Sequence, residues 1–494
     1  MSIVENIEEK LQSTVETIFD KSHEGRHGIP LPAFDVPSAS SLDESLLRQN
    51  RAKLPQLSEF DVVRHYTNLS NKNMSIDKNF YPLGSCTMKY NPKIAERVAA
   101  LDGFVNIHPH MVTNNMNDDI QGTLETVDLL EKTLCEVTGM SAFTTTPQAG
   151  AHGEMLGVMM IEKYHESKGN KRKYIIVPDS SHGTNPATAA MVGYDVITIK
   201  SDEHGAMDFD AFKEKMNEDV ACVMLTVPNT LGIYNKRIKE ICDLAHSFDA
   251  MMYYDGANMN AIMGVAKPGD IGFDVIHINV HKTFATPHGG GGPGSGPVGV
   301  NDKLKPFLPD LGIKKVNNKY EFTSGGSDSI GKISPFFGNY GISLRAIVYM
   351  TVLGENGMHN VSSKAVLNAN YIRVRLKDYF DVPYDSLCMH ECVFSAKTLA
   401  KSGVTAMDIA KYLLDFGMHA PTVYFPLIVK EAIMIEPTET ENKETIDIFC
   451  DRMIEAVKLA RKDPEAFKAY PKTLGVCRPD DTRAIKELDI RSTH

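Results

Sequence analysis

From Tyr174 onward the chain repeats one pattern: a short apolar run, then a helical stretch, then another such run. The runs are YIIVP at 174–178, VITI at 196–199, VACVMLTVP at 220–228, AMMYYD at 250–255 and VIHINV at 275–280. Strands apolar on both faces that alternate with helices indicate a largely parallel sheet covered on both sides. The helical stretches, such as KRIKEICDLAHSF at 236–248, supply that cover. An α/β fold follows, and in such sheets ligands collect at the carboxyl ends of the strands. The loops after residues 178, 228, 255 and 280 are where chemistry is expected.

The flanks read differently. Residues 1 to about 118 are irregular and polar, with Pro-rich pieces between short helical stretches. Such a segment is expected to wrap over another domain or a partner. Leu124, Val127, Leu130, Leu134 and Val137 then recur at helical spacing until Gly139, and a loop ending in PQAGAHGE opens a second helix over Met155 to Tyr164. Past residue 340, two long helical patterns precede CMHECVFSA, a helix near 405–416, AIMIEP and a helix near 443–461. This mixed order predicts a smaller α+β domain. The expected division is an arm over 1–118, a large domain over 119–340 and a small domain over 341–494.

Composition narrows the function classes. A chain of 494 residues has room for two to four domains at about 150 residues each. Its net charge of −11 disfavours nucleic acid and anionic membrane as partners. No apolar run approaches the roughly 18 residues of a membrane span. The first twenty residues read as an acidic amphipathic helix, without the features of a signal or transit peptide. Eight cysteines, none in a CxxC pair, fit a reducing, cytoplasmic setting.

The strand-end loops hold the polar residues: Asp179 to Pro186 with His182 and Thr184, Asp255-Gly256-Ala257-Asn258, and His281-Lys282-Thr283. A lysine just after an apolar strand is partly desolvated, which favours the nucleophilic amine. A lone lysine there more often just caps the strand. Asp255 ends the preceding strand, 27 residues earlier. A carboxylate and a lysine on adjacent strand ends are what pyridoxal phosphate needs: the lysine as Schiff-base former, the carboxylate to keep the pyridine nitrogen protonated. Alone, Asp255 could equally cap a turn. Gln148 to Gly153 opens a helix with small residues and offers free backbone N–H groups to a phosphate, or is an ordinary glycine-rich helix start. A loop histidine such as His182 is usually solvated, though here its ring could stack on a pyridine. The glycine stretch at 288–297 lacks a nucleotide-loop pattern and reads as a mobile loop leading to one more strand, PVGV. His108-Pro109-His110 and His390-Glu391-Cys392 lack metal-ligand spacing, so no metal is expected. Cys86 is the one cysteine expected near an active site.

Taken together, NFYPLGSCTMKYNPK, QAGAHGE, DSSHGTNPATA, YYDGANMNA, HINVHKTFATPHGGGGPGSGPVGV and FPLIVKEAIMIEPTETENKE resemble glycine decarboxylase, the P-protein of the glycine cleavage system. The resemblance runs from about residue 20 to about 460, and length and motifs are similar to subunit 2 of the family's two-subunit form. One departure is TTTPQAGAHGE, where the family has a form closer to LQPAAGAHGE. The resemblance implies a fold-type I pyridoxal phosphate architecture, a Schiff base on Lys282, a pyridinium partner in Asp255 and a stacking ring in His182. Gly150 and Ala151 would hold the phosphate, with Thr184, Ala257 and His281 also at the cofactor. GSCTMK would lie near substrate, with Ser85 and Thr87 as carboxylate-binding candidates or turn caps. The implied activity is decarboxylation of glycine and transfer of its aminomethyl group to the lipoyl arm of a second protein, the H-protein. The implied assembly has two copies each of subunits 1 and 2. Other readings are a fold-type I decarboxylase or aminotransferase for another amino acid, a non-catalytic subunit (disfavoured by HKTF), and, weakest, a nucleotide-binding protein.

Overall fold

The computed structural model describes residues 16–37, 43–50, 52–113, 117–289 and 294–490. Most of the amphipathic helix expected at the start, and residues 290–293 of the glycine stretch, lie outside the described residues. The chain divides into two compact units, residues 1–79 with 469–494 and residues 80–468. No helix among the described residues is long and apolar enough to cross a membrane.

The larger unit is built on a seven-stranded sheet. Its strands are β1 (Ala142–Thr144), β2 (Tyr174–Pro178), β3 (Asp195–Ile199), β4 (Val220–Thr226), β5 (Met251–Gly256), β6 (Val275–Ile278) and β7 (Val298–Val300). Across the sheet they run β1-β7-β6-β5-β4-β2-β3. The pairs from β3 through β6 are parallel, and β7 runs antiparallel to both its neighbours. The two-face burial inferred from the apolar runs is visible residue by residue. Ile175, Val177, Met251, Tyr253 and Val275 enter one core, whereas Ile176, Met252, Tyr254, Ile276 and Ile278 enter the core on the other side.

Helices α1 (Gln121–Thr138) and α2 (Gly150–Ser167) differ in how they pack. The first buries its periodic Leu and Val face and ends at Gly139, in the left-handed region with φ +74°. The second is buried along most of its length and lies so close to its neighbours that a Cβ at Gly150 would strike Asn279. One at Gly153 would strike the Gly296 carbonyl, and one at Gly157 the Tyr253 ring. Helix α3 (Thr184–Val192) follows β2, and the single turn α4 (Val280–Thr283) follows β6. The two helical patterns past residue 340 form a 37-residue element, Tyr340–Leu376, broken at Gly354 by a φ of +61°.

A second sheet is wholly antiparallel, ordered β10-β12-β11, where β8 (Gly312–Val316) and β9 (Lys319–Thr323) form a separate hairpin. Its strands are β10 (Cys392–Ser395), β11 (Thr422–Val423) and β12 (Ala432–Ile435). Leu83 bridges to Ile435, and the Thr422 hydroxyl donates to the Gly84 carbonyl, so the GSCTMK segment is anchored on this sheet. Gly84 cannot be larger, because a Cβ would meet Met434.

In the smaller unit the helix Glu59–Asn71 starts with a capping box, Ser58 against Asp61. Residues 22–26 are tied to 56–61 through His23, Gln56 and the Arg26–Asp61 ion pair. Little of this unit is buried, and Leu31 and Phe34 are 89% and 94% exposed.

Candidate active site

The strand ends meet at a cavity of about 130 Å³. Lys282 and Asp255 both line it, the first from α4 at the end of β6, the second from the end of β5. Gly150 and Ala151 reach it from the start of α2, His182 and Thr184 from the start of α3, and Ala257 from the turn after β5. Ser85 completes the set from the anchored GSCTMK segment. Two expected residues point elsewhere. Thr87 donates its hydroxyl to Glu436 Oε1 at 2.6 Å, and His281 packs edge-on against His288 with ring centroids 5.1 Å apart. Neither lines the cavity, and burial, with the charges of His288 and Lys282, pushes the His281 pKa down to about 3.

Asp255 is held by several groups at once. Its Oδ2 accepts from Asn185 Nδ2 at 3.0 Å, and its Oδ1 accepts from the Ala257 N–H at 3.0 Å and lies 3.3 Å from His277 Nε2. Burial works to raise its pKa, but His277, Asn185, Ala257 and Lys282 outweigh it and keep the carboxyl below its usual range. Asn185 also donates to Glu154 Oε1 at 3.0 Å, and burial and the Asp255 charge push Glu154 upward. The His277 ring is fixed from its far side by Tyr253, 2.8 Å from Nδ1.

A second buried acid pair was not found from sequence. Glu391 lines the cavity, and its Oε2 accepts the Ser85 N–H at 2.9 Å. Glu436 takes bonds from Thr87 and from Asn258 Nδ2 at 3.0 Å. Cys392 stands opposite Ile435 in the β10–β12 ladder, which brings Glu391 and Glu436, one residue beyond, to the same end of it. His390, also lining the cavity, has neither ring nitrogen hydrogen-bonded. One ligand-type atom from each of His390, Glu391 and Glu436 lies within 4.8 Å of the others, and the same holds for Glu154, Asp255 and His277.

The donor set suits a phosphorylated pyridine aldehyde. Helix α2 has Ala149 as its N-cap, with no side-chain cap, leaving its first N–H groups for an anion. Asn279 Oδ1 and Thr226 Oγ1, on residues lining the cavity, are buried without a partner, as is Asn185 Oδ1 beside Asp255. A larger cavity of about 440 Å³ lies near Gln148, but it is walled mainly by Ile120, Leu124, Phe322, Phe336 and Tyr340 and offers no such charged set.

A family model described as glycine cleavage system P-protein matches residues 34–315, and one described as glycine dehydrogenase, C-terminal domain, matches 361–466. The chain is 51% identical to the probable glycine dehydrogenase (decarboxylating) subunit 2 of Listeria innocua, covering 97% of this chain and 99% of that one. It is 50% identical to the protein of the same name from Bacillus cytotoxicus, covering 96% of each. Among solved structures, the inhibitor-bound P-protein of the glycine cleavage system is similar with a TM-score of 0.69 and 17% identity, over 83% of this chain and 92% of that one. The glutamate decarboxylase of Lactobacillus brevis is similar with a TM-score of 0.64 and 14% identity, over 84% and 96%. The structural likenesses carry the fold, that of fold-type I pyridoxal phosphate enzymes.

Proposed function

Because this chain belongs to the glycine cleavage system P-protein family, we propose that it is the lysine-bearing subunit of a glycine decarboxylase. The observation that carries the site assignment is the meeting of Lys282 and Asp255 in one cavity at adjacent strand ends. Lys282 would hold pyridoxal phosphate covalently, Asp255 would face its ring nitrogen, and His182 would lie along its ring. Gly150 and Ala151 would bind its phosphate, with Thr184 and Ala257 close by; His281, beside Lys282 in the chain, packs on His288 instead. The cofactor, when bound, supplies an electron sink for the bond that breaks at the amino acid's α carbon.

The chain's own residues prepare that chemistry. Asp255, which accepts from Asn185 and Ala257 and lies beside His277, would keep a proton on the ring nitrogen it faces. Lys282 Nζ would be the amine that holds the cofactor and makes way for glycine. Ser85 is the candidate contact for the glycine carboxylate, and Thr87 acts beside it through Glu436. In this reading the aminomethyl group passes to the lipoyl arm of an H-protein. The chain assembles with a subunit 1, two copies of each, in the cytoplasm. An arm at 1–118, a large domain at 119–340 and a small domain at 341–494 remain the proposed division, whereas the compact units are 1–79 with 469–494 and 80–468.

The test is Lys282→Ala in the complex of both subunits. Loss of the borohydride-reducible visible absorbance and of glycine–bicarbonate exchange is expected. A variant that keeps a reducible chromophore would show that another group holds the cofactor. Wild-type complex that exchanges bicarbonate with a different amino acid and not with glycine would favour the neighbouring decarboxylase reading.

A further inference from the structure

We propose that Glu391, paired with Glu436, is the carboxyl that exchanges protons with the amine nitrogens meeting at Lys282. This rests on the functional reading above, since it assigns a proton carrier within the same site.

The geometry singles out this pair. Glu391 is 3% exposed and lines the cavity with Lys282, while Glu436 is fully buried behind it. Each is oriented by a fixed donor from the GSCTMK segment, the Ser85 N–H for Glu391 and the Thr87 hydroxyl for Glu436. The charged and titratable groups facing them are Lys282 from α4, Lys89 from the same segment, and His390 and Cys388 beside β10. His390 offers no positive charge, because burial, with Lys282 and Lys89 nearby, pushes its pKa down to about 3. Two carboxyls with ligand atoms within 4.8 Å of each other, out of water, cannot both ionise cheaply. Burial pushes Glu436 up to about 7, and burial and the Glu436 charge push Glu391 well above its usual range. Near neutral pH the pair therefore keeps a proton and has room for another.

The exchange balances simply. An amino acid arrives as an ammonium ion. One N–H bond breaks, the proton bonds to a Glu391 carboxylate oxygen, and the nitrogen keeps the electron pair it needs to attack. The reverse transfer protonates Lys282 Nζ. Glu391 is the catalytic residue here, and Glu436 a positioning residue acting through it.

The experiment uses the two-subunit complex loaded with pyridoxal phosphate, in wild type, E391Q and E436Q. The absorbance of the bound cofactor is followed against pH and after mixing with glycine or hydroxylamine at about pH 7.5, where hydroxylamine is already neutral. E391Q is expected to slow the response to glycine by about 10²-fold while changing that to hydroxylamine less than about twofold. It should also move the absorbance–pH midpoint down by about one unit, because a negative charge near the Lys282 nitrogen is lost. E436Q should keep most of the glycine response and shift its acid-side fall to lower pH. Slowing of both nucleophiles alike would reveal a structural role, and an unmoved midpoint with a wild-type glycine rate would overturn the assignment. So would loss of the effect on adding EDTA, which would mean a divalent cation at His390, Glu391 and Glu436. If the wild type binds the cofactor but ignores glycine, the functional reading fails, and the midpoint comparison alone decides on Glu391.

Discussion

Two buried acid clusters flank Lys282, and they are built to opposite ends. On the large sheet, Asp255 accepts from Asn185 and Ala257 and lies beside His277, so its charge is answered three times. On the small sheet, Glu391 and Glu436 receive one or two neutral hydrogen bonds each and repel one another. Both clusters are out of water, so burial alone does not distinguish them. The neighbouring groups do: His277 and the hydrogen bonds to Asp255 keep its carboxyl below its usual range, whereas burial raises Glu436 and burial with the Glu436 charge raises Glu391. A permanent charge suits a group that must hold a ring nitrogen protonated, whereas a loosely held proton suits a group that passes one on.

The cation behind the second cluster gives the largest test. Lys89 pairs with Glu439 at 2.8 Å and also donates to Asn260 and Tyr349, all out of water. Lys89→Met leaves the Glu439 carboxylate without its cation, held only by Asn260 and Tyr349, and a loss of about 3–5 kcal/mol in unfolding free energy is expected from denaturant melts. A loss under about 1 kcal/mol would mean that the hydrogen bonds from Asn260 and Tyr349 suffice for the Glu439 carboxylate.

Asp255→Asn keeps the shape of the first cluster and removes its charge. The rate of glycine–bicarbonate exchange should fall on the order of 10²–10³-fold, with the Tm little changed. If Glu436→Gln proved the more damaging of the two to the rate, the ranking of the clusters would be inverted.

Their pH responses should have opposite signs. Glu436 titrates near 7 in the folded chain against an ordinary value of 4.5. The folded protein holds a proton that the unfolded one releases, so this group's contribution to stability falls as pH rises from about 4.5 to about 7. Asp255, held below its ordinary 3.8, contributes stability above that value and loses it as pH falls through the folded pKa. Glu436→Gln should therefore raise the Tm at pH 8 relative to pH 5, which thermal melts at the two pH values will read. The mildest change, Thr87→Val, removes one hydrogen bond to Glu436. It should move the acid side of the rate profile upward by less than about one unit, worth about 1 kcal/mol.

The two clusters were also unequally legible in the sequence. Asp255 and Lys282 follow long runs apolar on both faces, and the strand-end rule led straight to them. Glu436 obeys the same rule, closing the run AIMI at β12, but that run is four residues long and antiparallel. Glu391 precedes its strand, so only the register with β12 brings it to the cavity. His390-Glu391-Cys392 was weighed only as a metal motif, whose spacing it lacks. Strands β1 and β7 show a related limit. PVGV was expected as a strand, but its antiparallel direction was not, and β1, three residues within a Thr-rich loop, has no readable period. Helix α3 begins inside what reads as a polar loop, because Thr184-Asn185-Pro186 looks like turn chemistry and is equally good helix-start chemistry.

The glycine row of α2 also limits what mutation can reach. With Gly150, Gly153 and Gly157 pressed against Asn279, Gly296 and Tyr253, no side chain can be introduced along that flank without displacing a buried amide, backbone or a buried ring. A laboratory lineage selected for bulkier amines would find that flank closed. Its adaptive substitutions should accumulate instead at cavity-lining residues to which no role is assigned, such as Thr226, Pro228 and Thr230.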